Sequence, residues 1–454
     1  MMKSDAYTRW LGSVQRRLRW EERRKELEWT LPGGRNWLGI SIEDGRVVAA
    51  LCRISKEGFI FPFAYHKVPY GESGDFIPSI TRIESAIQLA TEPFRKKQAI
   101  PFDHVVLGVP SWILGKGDYH QEMTITPPDA EINREHVRIL EGMIQREVPA
   151  NYVVVDTIHK SFMVNGNKKV KDPIGMPADR LGLHAHLVVT ERALLKGLLG
   201  CVKLLNKPVE ALASPFVSGW YGALSSRDMD AGVVLIDVGE LNTCCTFLHR
   251  GKLFDTAIIK SGAQEITSTI AHNIGSDYRS LENSVEDRKG YFLSDDNSRS
   301  ENLRLPVPLA GENNMHSVSM TRMNYLTSLA CEELVEKIGA ALNINSGRLE
   351  FAAAGVVLIG ENYLSLRGIR DTFKDRFNVK LRLGYPRYIS GVSMNGINDP
   401  GYVKVLGLLR NAHSSAQGPH PFLQHYYETI AQFILKEGKK KVSTRLHRFI
   451  DRYL

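Results

Sequence analysis

The sequence predicts an α/β protein made of two similar lobes with a cleft between them. Residues 37–68 and 232–260 each follow the pattern strand, tight turn, strand, tight turn, strand, and helical sequence comes after each. Later in each half there is one more apolar strand with small residues behind it, at 104–111 and 355–362. Two β-β-β-α-β-α units in one chain are typical of a duplicated fold.

Length and composition restrict the class of protein. A chain of 454 residues is long enough for two to four domains. No apolar run reaches the roughly 18 residues that cross a bilayer, and residues 1–10 lack the apolar stretch of a secretory signal. We therefore expect a protein of the cytoplasm. The five cysteines are scattered without CxxC spacing, which favours buried thiols over disulfides or zinc.

The net charge of +8 is concentrated at the two ends of the chain. Residues 1–29 carry eight Lys/Arg against five Asp/Glu, and residues 436–454 carry seven against two, so the body between them is about neutral. A nucleic-acid-binding core would carry its own basic face. We therefore expect no nucleic-acid partner, and we expect the basic ends to meet an acidic surface.

The elements divide the chain into lobes and insertions. The stretch at 112–190 contains a helix candidate at 133–147 between strands, and 262–345 reads as mostly helical, with a polar loop at 293–318 and a long helix near 319–345. The predicted parts are a basic amphipathic extension (1–34), the first part of lobe 1 (35–111), an inserted small domain (112–190), the second part of lobe 1 (191–230), the first part of lobe 2 (231–261), a helical subdomain (262–345), the closing part of lobe 2 (346–411), a linker (412–438) and an amphipathic helix (439–454).

An ordered series of motifs resembles the bacterial cell-division family FtsA over most of residues 36–454. VKDPIGMPADRLGLHAHLVVT (170–190) is similar to the "DPvGm…rL…vHivt" stretch of the small domain that FtsA carries and that actin and Hsp70 lack at this point. Residues 193–224 resemble the FtsA helix that leads into the second half. LRLGYPRYISG (381–391) and DPGYVKVLGLL (399–409) resemble the closing strand and helix.

This resemblance implies an actin-like (ribonuclease H-like) fold with ATP and Mg²⁺ in the cleft. It also implies a peripheral protein on the cytoplasmic side of the inner membrane at the division site. There it would bind FtsZ, polymerise and recruit later division proteins. The FtsZ-binding surface would lie in the 262–345 subdomain.

The first nucleotide turn departs from the family pattern. The actin fold holds ATP between two β-turns whose N–H groups surround the phosphates, and a strand-end carboxylate of each half organises Mg²⁺ and water. FtsA reads roughly GlDiGtskv at the first turn, whereas this chain reads GISIEDG (39–45). Ser41 replaces the carboxylate, Glu43 replaces the turn glycine, and Asp44 comes three residues later. A carboxylate beside a triphosphate adds like charge at an anion site.

The other two turns are also altered. The family pattern DiGGGTtD is DVGELNTC (237–244) here, and GGga is GENY (360–363), whose Tyr363 would crowd the nucleoside. We expect hydrolysis to be weakened or lost, with no catalytic residue and no enzyme activity, while weak ATP binding stays open. The candidate nucleotide-binding residues are Gly39, Ser41, Asp44, Asp237, Gly239 and Gly360, with Asp237 as the Mg²⁺ ligand if nucleotide binds.

The segment KKKVSTRLHRFIDRYL (439–454) predicts a membrane-binding helix. Its apolar residues share one helical stripe, and basic residues that suit anionic lipid head groups flank that stripe. FtsA ends in the same kind of helix, although a helix packing on the body or on a partner is the alternative. The candidate membrane-binding residues are Val442, Leu446, Phe449, Ile450 and Leu454 on the stripe and Lys440, Lys441, Arg445 and Arg448 beside it.

Residues 8–20 form a second, weaker amphipathic candidate. Trp10, Leu11, Val14 and Leu18 would share a helical face beside four arginines. This segment could contact the membrane, dock on the folded domain or remain a solvated helix. FtsA usually starts close to its first strand, so the resemblance implies no role for it.

Three other functions are alternatives to the cell-division role that the FtsA resemblance implies. PilM, the actin-like protein of type IV pilus assembly, lacks the terminal amphipathic helix and normally keeps its phosphate turns. A sugar kinase of the same superfamily would need a catalytic Asp and glycine-rich turns, which this cleft does not offer. A divergent FtsA paralogue that serves a specialised filament stays open.

Overall fold

The computed structural model describes residues 34–70, 79–96, 100–293, 303–310, 315–343, 348–390 and 397–414. The predicted extension up to residue 33, nearly all of the predicted linker and the amphipathic helix at 439–454 lie outside these residues. Within the described ranges, no helix has the length and apolar character to cross a membrane.

The strands and helices follow the predicted order through most of the chain. The strands are β1 (Gly34–Ile42), β2 (Arg46–Ser55), β3 (Ile60–Pro69), β4 (His104–Gly108), β5 (Leu114–Thr124), β6 (Tyr152–Val164), β7 (Lys168–Val170), β8 (Arg180–Glu191), β9 (Val209–Ala213), β10 (Val233–Val238), β11 (Thr243–His249), β12 (Lys252–Ile259), β13 (Arg304–Pro308), β14 (Met315–Ser319), β15 (Val356–Gly360) and β16 (Leu381–Leu383). The helices are α1 (Ile80–Arg95), α2 (Arg134–Arg146), α3 (Arg192–Cys201), α4 (Pro215–Ala223), α5 (Ser226–Ala231), α6 (Ala263–Ile274), α7 (Tyr278–Glu286), α8 (Lys289–Leu293), α9 (Met320–Ala341), α10 (Tyr363–Phe377) and α11 (Val403–Ser414).

Two sheets with the same topology form the lobes, which confirms the predicted duplication. In the described residues, lobe 1 has the strand order β3-β2-β1-β4-β9 and lobe 2 has the order β12-β11-β10-β15-β16. In both sheets the first three strands are antiparallel and the last two run parallel to the first strand. Helices cover both faces, so β1 and β10 are nearly continuous runs of buried residues.

The helices α4 and α11 lie between the two sheets and join the lobes. A core of apolar residues from both sheets surrounds this pair. The helices cross closely, because a Cβ added at Gly407 would lie 1.8 Å from the Ser218 carbonyl oxygen, and one at Gly222 would lie 2.1 Å from that of Val403. Glycine is therefore required at both positions of this crossing.

The inserted stretch forms a four-stranded sheet, β5-β8-β6-β7, in the part of the chain that the structure describes. The helix predicted at 133–147 is present as α2, and Asn133 caps it by accepting the N–H groups of Glu135 and His136. The insertion contacts both lobes. The Ser214 N–H donates to Asp156 Oδ2 at 2.8 Å, and the His186 ring lies 2.9 Å from Thr256 Oγ1 on β12.

Two local predictions were wrong. Residues 193–224, compared above with a helix, fold as α3, strand β9 and α4, since Asn206 turns into the left-handed region and Pro208 follows it before β9 pairs with β4. The polar stretch at 293–318, predicted as a loop, contains the hairpin β13–β14, whose apolar residues Leu305, Val307 and Val318 are buried.

Candidate functional site

The two nucleotide-type turns face each other at the ends of β1 and β10. The turn after β1 contains Glu43, Asp44 and Gly45, and the turn after β10 contains Gly239 and Glu240. The turns are in contact: a Cβ added at Gly239 would lie 2.5 Å from Asp44 Oδ2, and one at Gly45 would lie 2.8 Å from the Glu240 side chain. The segment after β4, around Ser111, forms the third wall.

A lysine from α11 occupies the space between the two strand ends. Lys404 Nζ lies 2.6 Å from Glu43 Oε2 and 3.2 Å from Asp237 Oδ1, and all three residues are buried. The Ser41 hydroxyl donates to the other Glu43 oxygen at 3.0 Å. We call Glu43, Asp237 and Lys404 the interlobe triad, because it joins the first strand of each lobe through one ammonium group. Among the described residues, Asp237 Oδ1 has no hydrogen-bond donor besides the Lys404 ammonium, which holds it mainly by charge.

Asp44 also connects the two turns. Its carboxylate accepts the Ser111 hydroxyl at 2.7 Å and the Asn242 N–H at 3.0 Å. The Asn242 side-chain amide in turn donates to Ser111 Oγ at 3.0 Å. This network satisfies a carboxylate that is buried between the lobes, and it uses a backbone N–H of the second turn.

A second group of charges links the two lobes. Arg46, at the start of β2, lies 2.9 Å from Glu361, 2.9 Å from Glu282 and 3.2 Å from Glu240. The Tyr278 hydroxyl donates to Glu240 at 2.6 Å. We call Arg46 and its three glutamates the Arg46 cluster. It joins lobe 1 to three separate elements of lobe 2.

Tyr363, predicted to crowd a nucleoside, is bound within the protein. Its ring is buried, and its hydroxyl donates to Asp399 Oδ2 at 2.7 Å. The same carboxylate lies 3.4 Å from Lys289 Nζ and caps the short turn before α11 by accepting the Gly401 N–H. Tyr363 therefore orients the segment that carries Lys404.

Burial changes the protonation of these carboxyl groups. Burial raises the pKa of Glu43 to about 8, although Lys404 acts in the opposite direction. It also raises the pKa of Asp44 and of Asp237. Burial lowers the pKa of Lys404, but the attraction of Asp237 and Glu43 outweighs it and raises that pKa well above the ordinary lysine value. Three buried carboxyl groups share one ammonium, so a proton retained on Glu43 reduces the excess negative charge.

The residues present do not fit a Mg²⁺-bound triphosphate. The space accessible to the centre of a water molecule between the turns is about 10 Å³, room for about one water. Two of the turn N–H groups have protein acceptors: that of Glu43 donates to the Arg46 carbonyl, and that of Gly239 donates to the Asn242 carbonyl. Across the described ranges, no group of three His, Cys, Asp or Glu side chains is arranged to hold a metal ion.

The structure brings together four of the predicted nucleotide residues. Ser41, Asp44, Asp237 and Gly239 line one cavity with Lys404. The two remaining glycines serve other contacts. Gly39 lies within β1, where a Cβ would meet the Leu409 side chain at 2.9 Å. Gly360 ends β15 with φ +148°, where a Cβ would lie 2.6 Å from the Val238 carbonyl oxygen. The predicted membrane-binding residues lie outside the described ranges.

Lys404, Asn242 and Ser111 were not predicted from the sequence. Lys404 did carry a signal, since it is the one charged residue in VKVLGLL (403–409), an otherwise apolar run. It also lies in the first turn of a helix, where the macrodipole disfavours a cation. A buried lysine at such a position requires carboxylate partners nearby. Asn242 and Ser111 have no comparable signal, because ordinary turns contain both residue types.

Comparisons with known proteins agree with this architecture. A family model described as "Cell division protein FtsA" matches residues 234–407, and one described as "SHS2 domain inserted in FTSA" matches residues 117–189. The FtsA of Bacillus subtilis is 25% identical over 342 residues, which cover 75% of each chain. The FtsA of Pseudomonas aeruginosa is 22% identical over 382 residues, which cover 84% of this chain and 90% of the relative.

Among solved structures, the PilM–PilN type IV pilus biogenesis complex superposes with a TM-score of 0.56 at 12% identity, covering 83% of this chain and 98% of that one. At this identity the likeness shows the fold alone, which is actin-like. The two FtsA models match more than half of the chain between them and include the inserted domain that distinguishes the family. The chain therefore belongs to the FtsA family of cell-division proteins, with an actin-like ATPase fold.

Proposed function

We propose that this protein is a membrane-tethering scaffold of the division machinery whose lobes are joined by its own ion pairs and not by ATP. It attaches FtsZ filaments to the cytoplasmic face of the inner membrane and does not hydrolyse ATP efficiently. The observation that carries the second part is the interlobe triad, in which Lys404 Nζ lies between Glu43 and Asp237. The altered nucleotide turns of the sequence support the same conclusion.

Lys404 supplies a positive charge where a nucleotide-bound cation would lie in an active actin-like site. In such sites a divalent cation offsets the charge of the phosphates and of a strand-end carboxylate. Here an ammonium group of the chain offsets Asp237, and the Glu43 side chain fills the space on the other side. The charge balance of this cleft therefore does not depend on bound ATP.

The tethering role is supported by family membership and by the pattern of residues 439–454. The apolar stripe and the flanking lysines and arginines of that segment suit an anionic bilayer surface. The partners that family membership suggests are FtsZ, later division proteins and further copies of the chain. A protein in this role acts through contacts and assembly, so it does not need to turn over a substrate.

A recruitment assay tests the proposal. Fluorescent FtsZ filaments, prepared with a slowly hydrolysed GTP analogue, are added to phosphatidylglycerol-containing vesicles coated with the full chain. We expect the same recruitment, within twofold, with Mg²⁺ and ATP, with ADP and after enzymatic removal of nucleotide, because the interlobe contacts come from the chain itself. The FtsA of Bacillus subtilis serves as the family control.

The possible failures have distinct meanings. Recruitment that requires ATP would contradict the nucleotide-independent scaffold and would indicate a regulated tether. Vesicle coating without FtsZ recruitment would contradict the division role and would favour an actin-like scaffold for another filament or pilus assembly.

A further inference from the structure

The first strand of the inserted domain, β5, is a long strand at the edge of its sheet. It has eleven residues, Leu114–Thr124, and it pairs with β8 along its whole length without a bulge. In the order β5-β8-β6-β7 it has no strand on its other side among the described residues. About half of the backbone N–H and C=O groups of such a strand point away from its one strand partner.

The other sheet edges in the described parts of the chain are protected in ordinary ways. Proteins keep edge strands from pairing with other chains by making them short, by placing proline in them or by covering them. The edge strand β3 contains Pro62 and Pro69, and β12 lies against the insertion through Thr256. The strands β9, β13 and β14 have five residues each, and β7 and β16 have three. By contrast, β5 is long and contains no proline.

The charges on β5 form a pattern that is complementary to its own reverse. Lys116, Asp118, His120 and Glu122 are exposed, and because they are two residues apart they share one face of the strand. Consider a second copy of β5 lying antiparallel to the first, with Tyr119 opposite Tyr119. Lys116 then faces Glu122 and Asp118 faces His120, each pair occurring twice. Opposite-charge pairs at such positions stabilise paired strands.

This match specifies one register. An antiparallel pair about a two-fold axis keeps the charged side chains of both copies on one face, so even-numbered residues face even-numbered residues. The next register in one direction places Asp118 opposite its own copy. The next register in the other direction places Asp118 opposite Glu122. Both of these bring like charges together, and only the register centred on Tyr119 avoids it.

The charged side chains of β5 are held in place and are still accessible. Asp118 lies 2.6 Å from the His186 ring and 2.9 Å from Lys160 Nζ, yet 59% of its side chain is exposed. Lys116 Nζ donates to a carbonyl of lobe 2, and an ammonium group has further N–H donors to offer. The His120 ring stacks on a neighbouring histidine of β8. These contacts order the side chains and leave them free to meet a second copy.

We propose that β5 is a homodimerisation strand, which pairs with β5 of a second copy about a two-fold axis at Tyr119. The two four-stranded sheets would then form one sheet of eight strands. Such a contact uses the same surface on both copies, so it closes after two copies and does not grow into a fibre. The inference rests on the self-association part of the proposed function, and its test needs neither FtsZ nor lipid.

Cysteine cross-linking of the full chain tests the axis. All five native cysteines lie in the described residues and are buried, so an introduced cysteine reacts selectively. Tyr119→Cys would place two Cβ atoms about 5 Å apart across the axis, and copper-catalysed oxidation should convert most of the chain to a disulfide-linked dimer. The control Gln121→Cys lies on the same face, but its opposite residue is Gly117. Its cross-linking should be at least tenfold slower.

A charge exchange tests the register in solution. The wild-type chain should dimerise at micromolar concentration in sedimentation velocity experiments without lipid. Glu122→Lys places two ammonium groups opposite each other, so the dissociation constant should rise at least tenfold. Lys116→Glu/Glu122→Lys exchanges the two charges and should restore the wild-type value within threefold. The control Glu332→Lys, on the exposed surface of α9 in lobe 2, should leave it within twofold.

Each failure is distinct. Equal cross-linking rates at positions 119 and 121, or a charge exchange that does not restore the dimer, would overturn the pairing of β5 with β5. A wild-type chain that stays monomeric would overturn it as well and would leave this edge to a strand of another protein. If Tyr119→Cys does not fold, the charge variants still decide. Recruitment of FtsZ to vesicles tests the proposed function separately, and its failure would not affect dimerisation through β5.

Discussion

At the scale of single residues, the cleft depends on one lysine. Lys404 faces two buried carboxyl groups, those of Glu43 and Asp237, and burial prevents water from solvating the charges of this group. The three side chains come from β10, α11 and the turn after β1, so their interaction joins parts of the chain that are far apart in sequence. Removing the ammonium therefore disturbs both lobes.

Lys404→Met tests this dependence. The change leaves Glu43 and Asp237 buried without their cation, and we expect the free energy of unfolding to fall by about 3–5 kcal/mol in denaturant titrations. Lys337→Met removes the exposed α9 lysine that pairs with Glu333 at 2.7 Å, and it should cost less than about 1 kcal/mol.

A third variant separates charge from shape in the triad. Lys404→Met combined with Glu43→Gln and Asp237→Asn removes the charged groups of the triad together. This triple variant should recover more than half of the stability that Lys404→Met loses. It can still be measured if the single variant does not fold. A loss below about 1 kcal/mol in Lys404→Met would contradict the importance of the triad.

The sequence predicted part of this site for a physical reason. Ser41, Asp44, Asp237 and Gly239 stand at the ends of strands that hydrophobic periodicity locates, and the carboxyl ends of equivalent strands meet at a cleft. Lys404 was not predicted, because its partners depend on how α11 packs between the lobes. The protonation of Glu43 likewise depends on burial, which local sequence does not report.

At the scale of elements, the contact between α4 and α11 positions the site. The close crossing at Gly222 and Gly407 brings the first turn of α11, and with it Lys404, up to the ends of β1 and β10. Sequence patterns indicated most of the strands of both lobes and α2. They missed β9 and the β13–β14 hairpin, because five-residue strands with mixed composition give too short a periodic signal.

Gly407→Ala tests the helix crossing. The new methyl group would lie 1.8 Å from the Ser218 carbonyl oxygen, so the helices must separate. We expect a loss of more than about 3 kcal/mol in the free energy of unfolding, measured by chemical denaturation.

The matched control for that change is Gly142→Ala in α2, where an added Cβ meets nothing within 4 Å. It should raise stability by about 0.5–1 kcal/mol, because alanine is the better helix former. Similar stability of the two variants would contradict the close packing of α4 on α11.

At the scale of the whole molecule, the protein has the actin-like architecture, and ion pairs between its own side chains join the two lobes. The interlobe triad, the Asp44 network and the Arg46 cluster connect the lobes at three places along the cleft. The duplicated architecture could be predicted because both halves repeat one strand pattern. The ion pairs across the cleft could not, since each one joins residues from separate elements.

A calorimetric titration of the full chain with Mg²⁺ and ATP tests whether ion pairs take the place of nucleotide between the lobes. The FtsA of Bacillus subtilis is titrated in parallel. We expect no binding heat up to millimolar ATP, because Lys404 and Glu43 occupy the space between the turns and the N–H groups of Glu43 and Gly239 already have acceptors. Saturable binding in the micromolar range would contradict it and would show that the cleft opens to take nucleotide.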